Sequence, residues 1–243
     1  MNKSILILLL TTFSIFANAQ YNEDSFGSFG SSSLQLDKFK FGFRITPSIA
    51  WVNVTHNDAF AGGATMKIGL GLSARYEIND LMAIISGINY NGFGGYMADN
   101  RTLNDVNSKD YFRVNYTAIE VPIGIRLNTP DIHKYSYYLQ GGANTGFVLS
   151  ANEKTFKSNG GSVLNNTNIL KDLTSPSYAG IFVGVGARYK LNDKIRLFVE
   201  ANYKATLTNI AISEGCKADT EHQYTDNISI LPSTTDFSFG IEF

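Results

Sequence analysis

Between residues 181 and 207 the sequence alternates with a strictness that leaves one secondary structure open to it. Ile181, Val183, Val185, Ala187, Tyr189 and Leu191 fall on one parity, and Gly180, Phe182, Gly184, Gly186, Arg188 and Lys190 on the other. Asn192 and Asp193 follow, a polar pair suited to a tight turn. The alternation then resumes, with Ile195, Leu197, Val199, Ala201, Tyr203, Ala205 and Leu207 against Arg196, Phe198, Glu200, Asn202, Lys204 and Thr206. A period of two puts successive side chains on opposite faces of a β-strand, and two such runs across a short turn make a hairpin. Each run has about a dozen residues, where an ordinary strand has roughly 5–6. At about 3.3 Å per residue and a tilt near 45°, a dozen residues climb about the ~25 Å of an outer-membrane barrel's apolar band. The expectation is a hairpin that crosses a bilayer.

The rest of the chain repeats the pattern. Phe39, Phe41, Phe43, Ile45, Pro47, Ile49 and Trp51 alternate with Lys40, Gly42, Arg44, Thr46, Ser48 and Ala50. Met66, Ile68, Leu70, Leu72, Ala74 and Tyr76 alternate with Lys67, Gly69, Gly71, Ser73, Arg75 and Glu77, and Asn79-Asp80 makes the next turn. Met82, Ile84, Ile88 and Tyr90 share a face that Ser86 interrupts. In the segment 111–127, Ile119, Val121, Ile123, Ile125 and Leu127 oppose Glu120, Pro122, Gly124 and Arg126, but Phe112, Val114 and Tyr116 have the other parity. That phase change predicts a β-bulge near Thr117-Ala118, and Pro122, which lacks a ladder donor, fits local irregularity. Tyr137, Leu139, Gly141, Ala143, Thr145, Phe147 and Leu149 form another strand, and Phe237, Phe239, Ile241 and Phe243 the last. Residues 53–63, 94–110, 151–177 and 208–226 are expected as long loops, with one or two helical turns within 163–173, and residues 128–134 as a short turn. Eight strands with long and short connections in alternation, and both ends on the short-turn side, predict an all-β fold: an eight-stranded antiparallel up-and-down transmembrane β-barrel over residues 38–243.

Alternation alone also suits a soluble barrel with its apolar face inside. The placing of aromatics decides between them. On the apolar face, Phe39, Phe41, Tyr76, Tyr137, Tyr189 and Phe243 lie near the turn side, and Trp51, Tyr90, Phe147 and Tyr203 near the loop side, with mostly aliphatic residues between. Two aromatic girdles around an aliphatic belt belong to a membrane barrel. The other face mixes glycine with Arg44, Arg75, Glu77, Glu120, Arg126, Arg188, Glu200 and Asp236. Those charges are expected to pair across a narrow lumen, since an isolated buried charge costs several kcal/mol. Phe243, ending an alternating strand, resembles the signal that outer-membrane insertion machinery reads.

Composition removes other readings. A net charge of -1 over 243 residues, without a basic cluster, argues against nucleic acid as a partner. The mean hydropathy is -0.07, and no internal run reaches the ~18 apolar residues of a membrane helix; a barrel carries its membrane signal in alternation. Abundant aromatics, 13 Tyr and 17 Phe, against a single Cys suit an outer-membrane strand protein. Residues 1–19 read as a signal peptide, with Lys3 before an apolar core and Ala17-Asn18-Ala19 as the cleavage site after Ala19; an N-terminal anchor helix is the alternative. No cysteine sits at the junction, which argues against a lipoprotein. Residues 20–37, rich in Ser, Gly and acidic residues, are expected as a flexible periplasmic tail.

Catalytic chemistry leaves little trace. The only histidines are His56, His133 and His222. His56 and His222, with Asp58, Cys216, Asp219 and Glu221, lie on the loop side without metal-ligand spacing. A lipid-modifying barrel enzyme needs a His with Ser or Asp at the outer rim of a strand, and no His sits there. Cys216 has no fixed base beside it, and there is no phosphate-binding glycine loop, paired-carboxylate motif or cysteine pair. No catalytic, cofactor or metal site is expected.

The run Ile119-Glu120-Val121-Pro122-Ile123-Gly124-Ile125-Arg126 resembles the Glu-x-Pro strand of PorT-type outer-membrane β-barrel proteins, and Tyr138-Leu139-Gln140-Gly141-Gly142 the strand that follows it. Gly184-Val185-Gly186, Glu200-Ala201-Asn202-Tyr203 and Leu207-Thr208-Asn209-Ile210 resemble that family's sixth and seventh strands. The resemblance runs from about Phe39 to Phe243. It implies an outer-membrane barrel of a Gram-negative cell; the name member serves a protein secretion and gliding apparatus, and most relatives are porin-like barrels of unassigned role. The chain lacks the acidic residue before the sixth strand's glycines and the proline-bearing seventh strand of the secretion branch. The expected function is a non-enzymatic barrel with a structural, surface-interaction or envelope-assembly and secretion-accessory role, in contact with membrane lipids, the insertion machinery and an envelope or surface protein partner. The alternatives are a narrow porin-like channel and a lipid-modifying barrel enzyme.

Overall fold

The computed structural model describes residues 38–55, 59–99, 110–157, 164–166, 174–192, 194–210 and 229–243. The segments 1–19 and 20–37, expected as signal peptide and tail, lie outside the described residues. The strands are β1 (Phe39–Thr55), β2 (Ala59–Gly63), β3 (Thr65–Glu77), β4 (Met82–Asp99), β5 (Asp110–Asn128), β6 (Tyr135–Lys157), β7 (Leu164–Asn166), β8 (Ser177–Lys190), β9 (Arg196–Thr206) and β10 (Ser229–Glu242). Antiparallel ladders join β1 to β3, then β4, β5, β6, β8, β9 and β10 in turn, and β10 returns to β1. Eight strands therefore close, which leaves the ring no edge. β2 adds to the far end of β4 and β7 to the far end of β6.

Two short turns are fixed by asparagine. Asn79 Oδ1 accepts from the amides of Leu81 and Met82 at 3.0 and 2.8 Å, and Asn192 Oδ1 from those of Lys194 and Ile195 at 2.9 and 2.7 Å. Each is a side chain standing in for a backbone turn bond. In the turn between β5 and β6, His133 takes the left-handed conformation at φ 61°.

The barrel is inside out relative to a soluble one. Met66 and Ile68 are 77% and 73% exposed, whereas Arg75, Glu120, Arg126, Glu200 and Asp236 are all at 5% or below. Exposed apolar side chains follow every barrel strand: Ile45 on β1, Leu70 on β3, Ile88 on β4, Ile123 and Ile125 on β5, Leu139 on β6, Val183 and Val185 on β8, Val199 on β9 and Phe239 on β10. Ser86, the interruption in the outer face of β4, has a reason. It pairs with Ile123, and its hydroxyl donates to the carbonyl of the preceding Pro122 at 3.0 Å. One bond thereby satisfies two polar groups on a face where water cannot.

The structure departs from the sequence expectation above the loop-side girdle. Tyr90 pairs with Ile119, and Ile119 with Phe147; beyond that row β4 runs nine residues to Asp99, β5 reaches back nine to Asp110 and β6 runs ten to Lys157. Much of the expected loops at 53–63, 94–110 and 151–177 is therefore strand. Within 163–173, Leu164–Asn166 is strand where helical turns were expected, because the open edge of β6 offers unpaired backbone groups to the returning chain. The bulge expected near Thr117-Ala118 is there as a register shift of the β5–β6 ladder, but without a phase change in β5. Its inward parity runs unbroken through Val114, Tyr116, Ala118 and Glu120, all buried. The extra residue lies on the partner: Thr117 pairs with Ser150 and Ala118 with Val148, leaving Leu149 over. The apolar residues read as a phase change instead record a lumen that turns apolar near its mouth.

Candidate functional site

The inward parity of all eight barrel strands fills the lumen in storeys. On the turn side, Arg75 grips Glu242 with two bonds, Nε to Oε2 at 3.0 Å and Nη2 to Oε1 at 2.5 Å, and Arg75 Nη1 donates to Glu77. Arg188 Nη2 donates to Asn128 Oδ1 at 2.8 Å, and its Nη1 lies 3.9 Å from Glu242. Arg196, nearer the turns, lies 3.9 Å from Glu77 and 4.0 Å from Asp131.

The middle storey converges on Glu200. Arg44 Nη1 donates to its Oε1 at 2.8 Å. Arg126 Nη2 and the Tyr138 hydroxyl donate to Oε2 at 3.2 and 3.0 Å. Asn202 Nδ2 adds a bond to Oε1 at 3.1 Å. Arg126 also donates twice to Gln140 Oε1 and stacks over the Tyr138 ring, 3.9 Å from its centroid. Above it, Lys204 Nζ reaches Glu120 at 2.7 Å and Asp236 at 2.8 Å. Tyr178 and Asn91 each donate to Glu120 at 2.6 Å. Through these storeys five cations (Arg44, Arg75, Arg126, Arg188, Lys204) face five carboxylates (Glu77, Glu120, Glu200, Asp236, Glu242). Buried charges persist in a low-dielectric interior only when paired and hydrogen-bonded in this way. A small cavity remains between the upper storeys, lined by polar groups of Arg44, Asn89, Asn202, Lys204 and Asp236 and by the apolar Ile85, Pro122 and Phe182.

Glycines make the storeys fit. A Cβ at Gly186 would run into the Tyr138 ring, one at Gly146 into the Tyr178 ring, and one at Gly240 into the Phe198 ring. Large inward rings lie flat across bare backbone on the neighbouring strand, and a lumen only just wide enough for side chains accommodates both them and the arginines.

At the loop side the filling becomes apolar. Ala50, Val52, Phe93, Val114, Tyr116, Ala118, Ala151, Tyr178, Ile210 and Ile230 form one buried cluster. Phe93 stacks on Tyr116 with centroids 5.2 Å apart and meets Tyr178 edge-on at 5.3 Å. The upper part of β4 supplies this plug by leaning over the mouth, where it touches β1 and β10 as well as its ladder partners. Gly94 at φ 140° provides a backbone conformation closed to other residues, and at Gly95 the backbones approach so closely that a Cβ would meet the Val52 amide nitrogen.

All eight charged residues singled out from sequence lie in this column. Parity also gave the inward positions of Glu242 and Lys204, yet neither was singled out; each anchors a storey. The register that brings them to Arg75 and Glu120 is set by barrel closure. Of the aromatics on the outer face, Tyr90, Tyr137, Phe147 and Tyr203 are about half exposed. Trp51 lies 6.1 Å from Tyr203 on the loop side; on the turn side Tyr76 lies 4.8 Å from Phe39, Phe243 5.9 Å from Phe43 and Tyr189 5.0 Å from Tyr135. His133 is exposed in its turn. His56, Asp58, Cys216, Asp219, Glu221 and His222 lie outside the described residues.

The sequence profile of the family described as outer membrane protein beta-barrel domain matches residues 6–242. Comparison with curated proteins finds no match. Among solved structures, the chain is similar to Neisserial surface protein A, at 14% identity over 82% of this chain and 95% of that one, with a TM-score of 0.37. It is similar to Ail, the attachment invasion locus protein of Yersinia pestis, at 16% identity over 84% and 99%, with a TM-score of 0.35. It is similar to OprG of Pseudomonas aeruginosa at 12% identity over 84% and 95%, with a TM-score of 0.39.

Proposed function

The chain belongs to the outer membrane protein beta-barrel domain family, and from that membership and its filled lumen we propose a closed, non-enzymatic barrel of the outer membrane. Its role in this reading is structural, surface-interacting or accessory to envelope assembly or secretion. The observation that carries the reading is Glu200. Donors from β1, β5, β6 and β9 meet on this one carboxylate, so the lumen is crossed by bonds at its middle and capped by the Phe93–Tyr116 plug. Carboxylates engaged by several donors suit closure of a passage better than acid–base work. In this reading the aliphatic belt meets lipid, the strand ending in Phe243 is read by the insertion machinery, residues 1–19 are removed after Ala19, and an envelope or surface protein is the partner.

A narrow porin-like channel is the second reading, favoured by the small cavity left between the upper storeys. Planar-bilayer recording of the refolded chain separates the two. The closed barrel is expected to give no steady conductance steps; ion-sized steps would favour the channel. A lipid-modifying enzyme would instead alter lipid A in cells overproducing the protein, and lose that effect on replacement of His56 or His222.

A further inference from the structure

The five lumen cations of the three storeys each face a carboxylate. Two cations above them do not. Among the described residues, Lys67 on β3 and Arg113 on β5 meet neutral partners only. Lys67 Nζ donates to Asn115 Oδ1 at 2.5 Å. Arg113 Nη2 donates to Thr65 Oγ1 at 2.9 Å, its guanidinium lies 5.6 Å from the Tyr96 ring centroid, and its buried Nε has no hydrogen-bond partner among the described residues.

The backbone brings these two cations together. Thr65 and Lys67 are two residues apart on β3, and Arg113 and Asn115 two apart on β5, so each pair shares a side of its strand. β4 runs between them and presents Gly92 and Gly94 there, with Gly94 paired to Asn115. The Lys67 stem lies over Gly92 and crosses β4 to reach Asn115, while Arg113 crosses back to Thr65. The two rungs hold an ammonium and a guanidinium in one crevice between the β4–β5 pair and the β3 wall. Both side chains are only half-buried. Like charges held close in a partly desolvated crevice repel, and an amide, a hydroxyl and a ring do not cancel two full charges. An anion would, and the remaining N–H groups of a half-buried guanidinium beside an ammonium are a donor set matched to a tetrahedral oxyanion.

Height narrows the class further. Leu70 on β3 pairs with Tyr90 of the loop-side girdle, and Lys67 lies three residues beyond it. That is about 10 Å along the strand, or roughly 7 Å in height at a 45° tilt, within the ~5–7 Å headgroup layer flanking the hydrocarbon. We propose that Lys67 and Arg113 form a binding site for a phosphate group, carried as a monoester by an outer-leaflet headgroup or free in solution as inorganic phosphate. The proposal does not depend on whether the lumen conducts.

The test is calorimetric titration of the refolded full chain in zwitterionic detergent at low ionic strength, where charge screening is least. One arm uses inorganic phosphate, the other micelles carrying diphosphorylated lipid A. Wild type is expected to bind, the double variant Lys67→Met/Arg113→Met to bind at least tenfold more weakly, and Lys194→Met, an exposed turn-side control, to match wild type within twofold. Binding of lipid A alone identifies a headgroup site; binding of both identifies an oxyanion site open to either source. Binding of neither by wild type, or equal binding by the double variant, overturns the proposal. Should the double variant not refold, judged by heat-modifiable gel mobility, Lys67→Gln keeps a hydrogen-bonding group and is expected to weaken binding at least threefold; unchanged affinity there overturns the proposal as well.

Discussion

Glu200 shows how much of this barrel rests on single side chains. It is 5% exposed and stands between Arg44 and Arg126 at 2.8 and 3.2 Å. Its removal would leave two guanidinium groups facing one another in a closed space. Breaking a buried pair costs about 3–5 kcal/mol, chiefly for the charge left behind. Glu200→Ala is therefore expected to lower the stability of the refolded protein by about that amount, read from the midpoint of urea unfolding in micelles. Arg196→Ala, whose carboxylate partners are partly exposed and 3.9 and 4.0 Å away, is expected to cost about 0–1 kcal/mol in the same assay. Which residues face inward was legible in the sequence, because parity is a local property. Which of them meet was not: Arg44 and Glu200 are 156 residues apart, and only closure of the ring sets them across from one another.

At the level of the strand, the hydrophobic pattern located every membrane crossing, because hydrocarbon on one face and lumen on the other impose period two directly. It faltered where that contrast ends. Above the Tyr90–Ile119–Phe147 row, β4 to β6 leave the bilayer and β4 leans over the mouth, so inward residues become apolar and Val114 and Tyr116 mimic a change of face. The bulge near Thr117-Ala118 was legible, but not that its extra residue is Leu149 on β6, since both faces there border protein or water. Ser86 is the opposite case, a polar residue within the lipid-facing pattern that its neighbour explains. Ser86→Ala leaves the Pro122 carbonyl without its donor on the hydrocarbon face, and an unsatisfied buried acceptor costs about 1–3 kcal/mol. A stability loss in that range is expected, against a near-neutral result if the hydroxyl were merely solvated.

The molecule as a whole is a soluble protein's charge pattern turned inward. Its polar column is held by ion pairs that span the lumen, its mouth is closed by rings and aliphatics from the strands, and its outer wall is left to Ile, Leu, Val and two rows of aromatics. Everything proposed for it, from the closed passage to a phosphate site at headgroup height, presumes that lipid touches that wall. Spin labels at Ile119, Val121, Ile123, Ile125 and Leu127, placed one at a time in a Cys216→Ser background and reconstituted in bilayers, measure this directly. The label at 123 is expected to show the highest oxygen and the lowest water-soluble nickel-complex accessibility, with both trends reversing toward 119 and 127. Equal, high nickel accessibility at all five positions would contradict a hydrocarbon-facing belt.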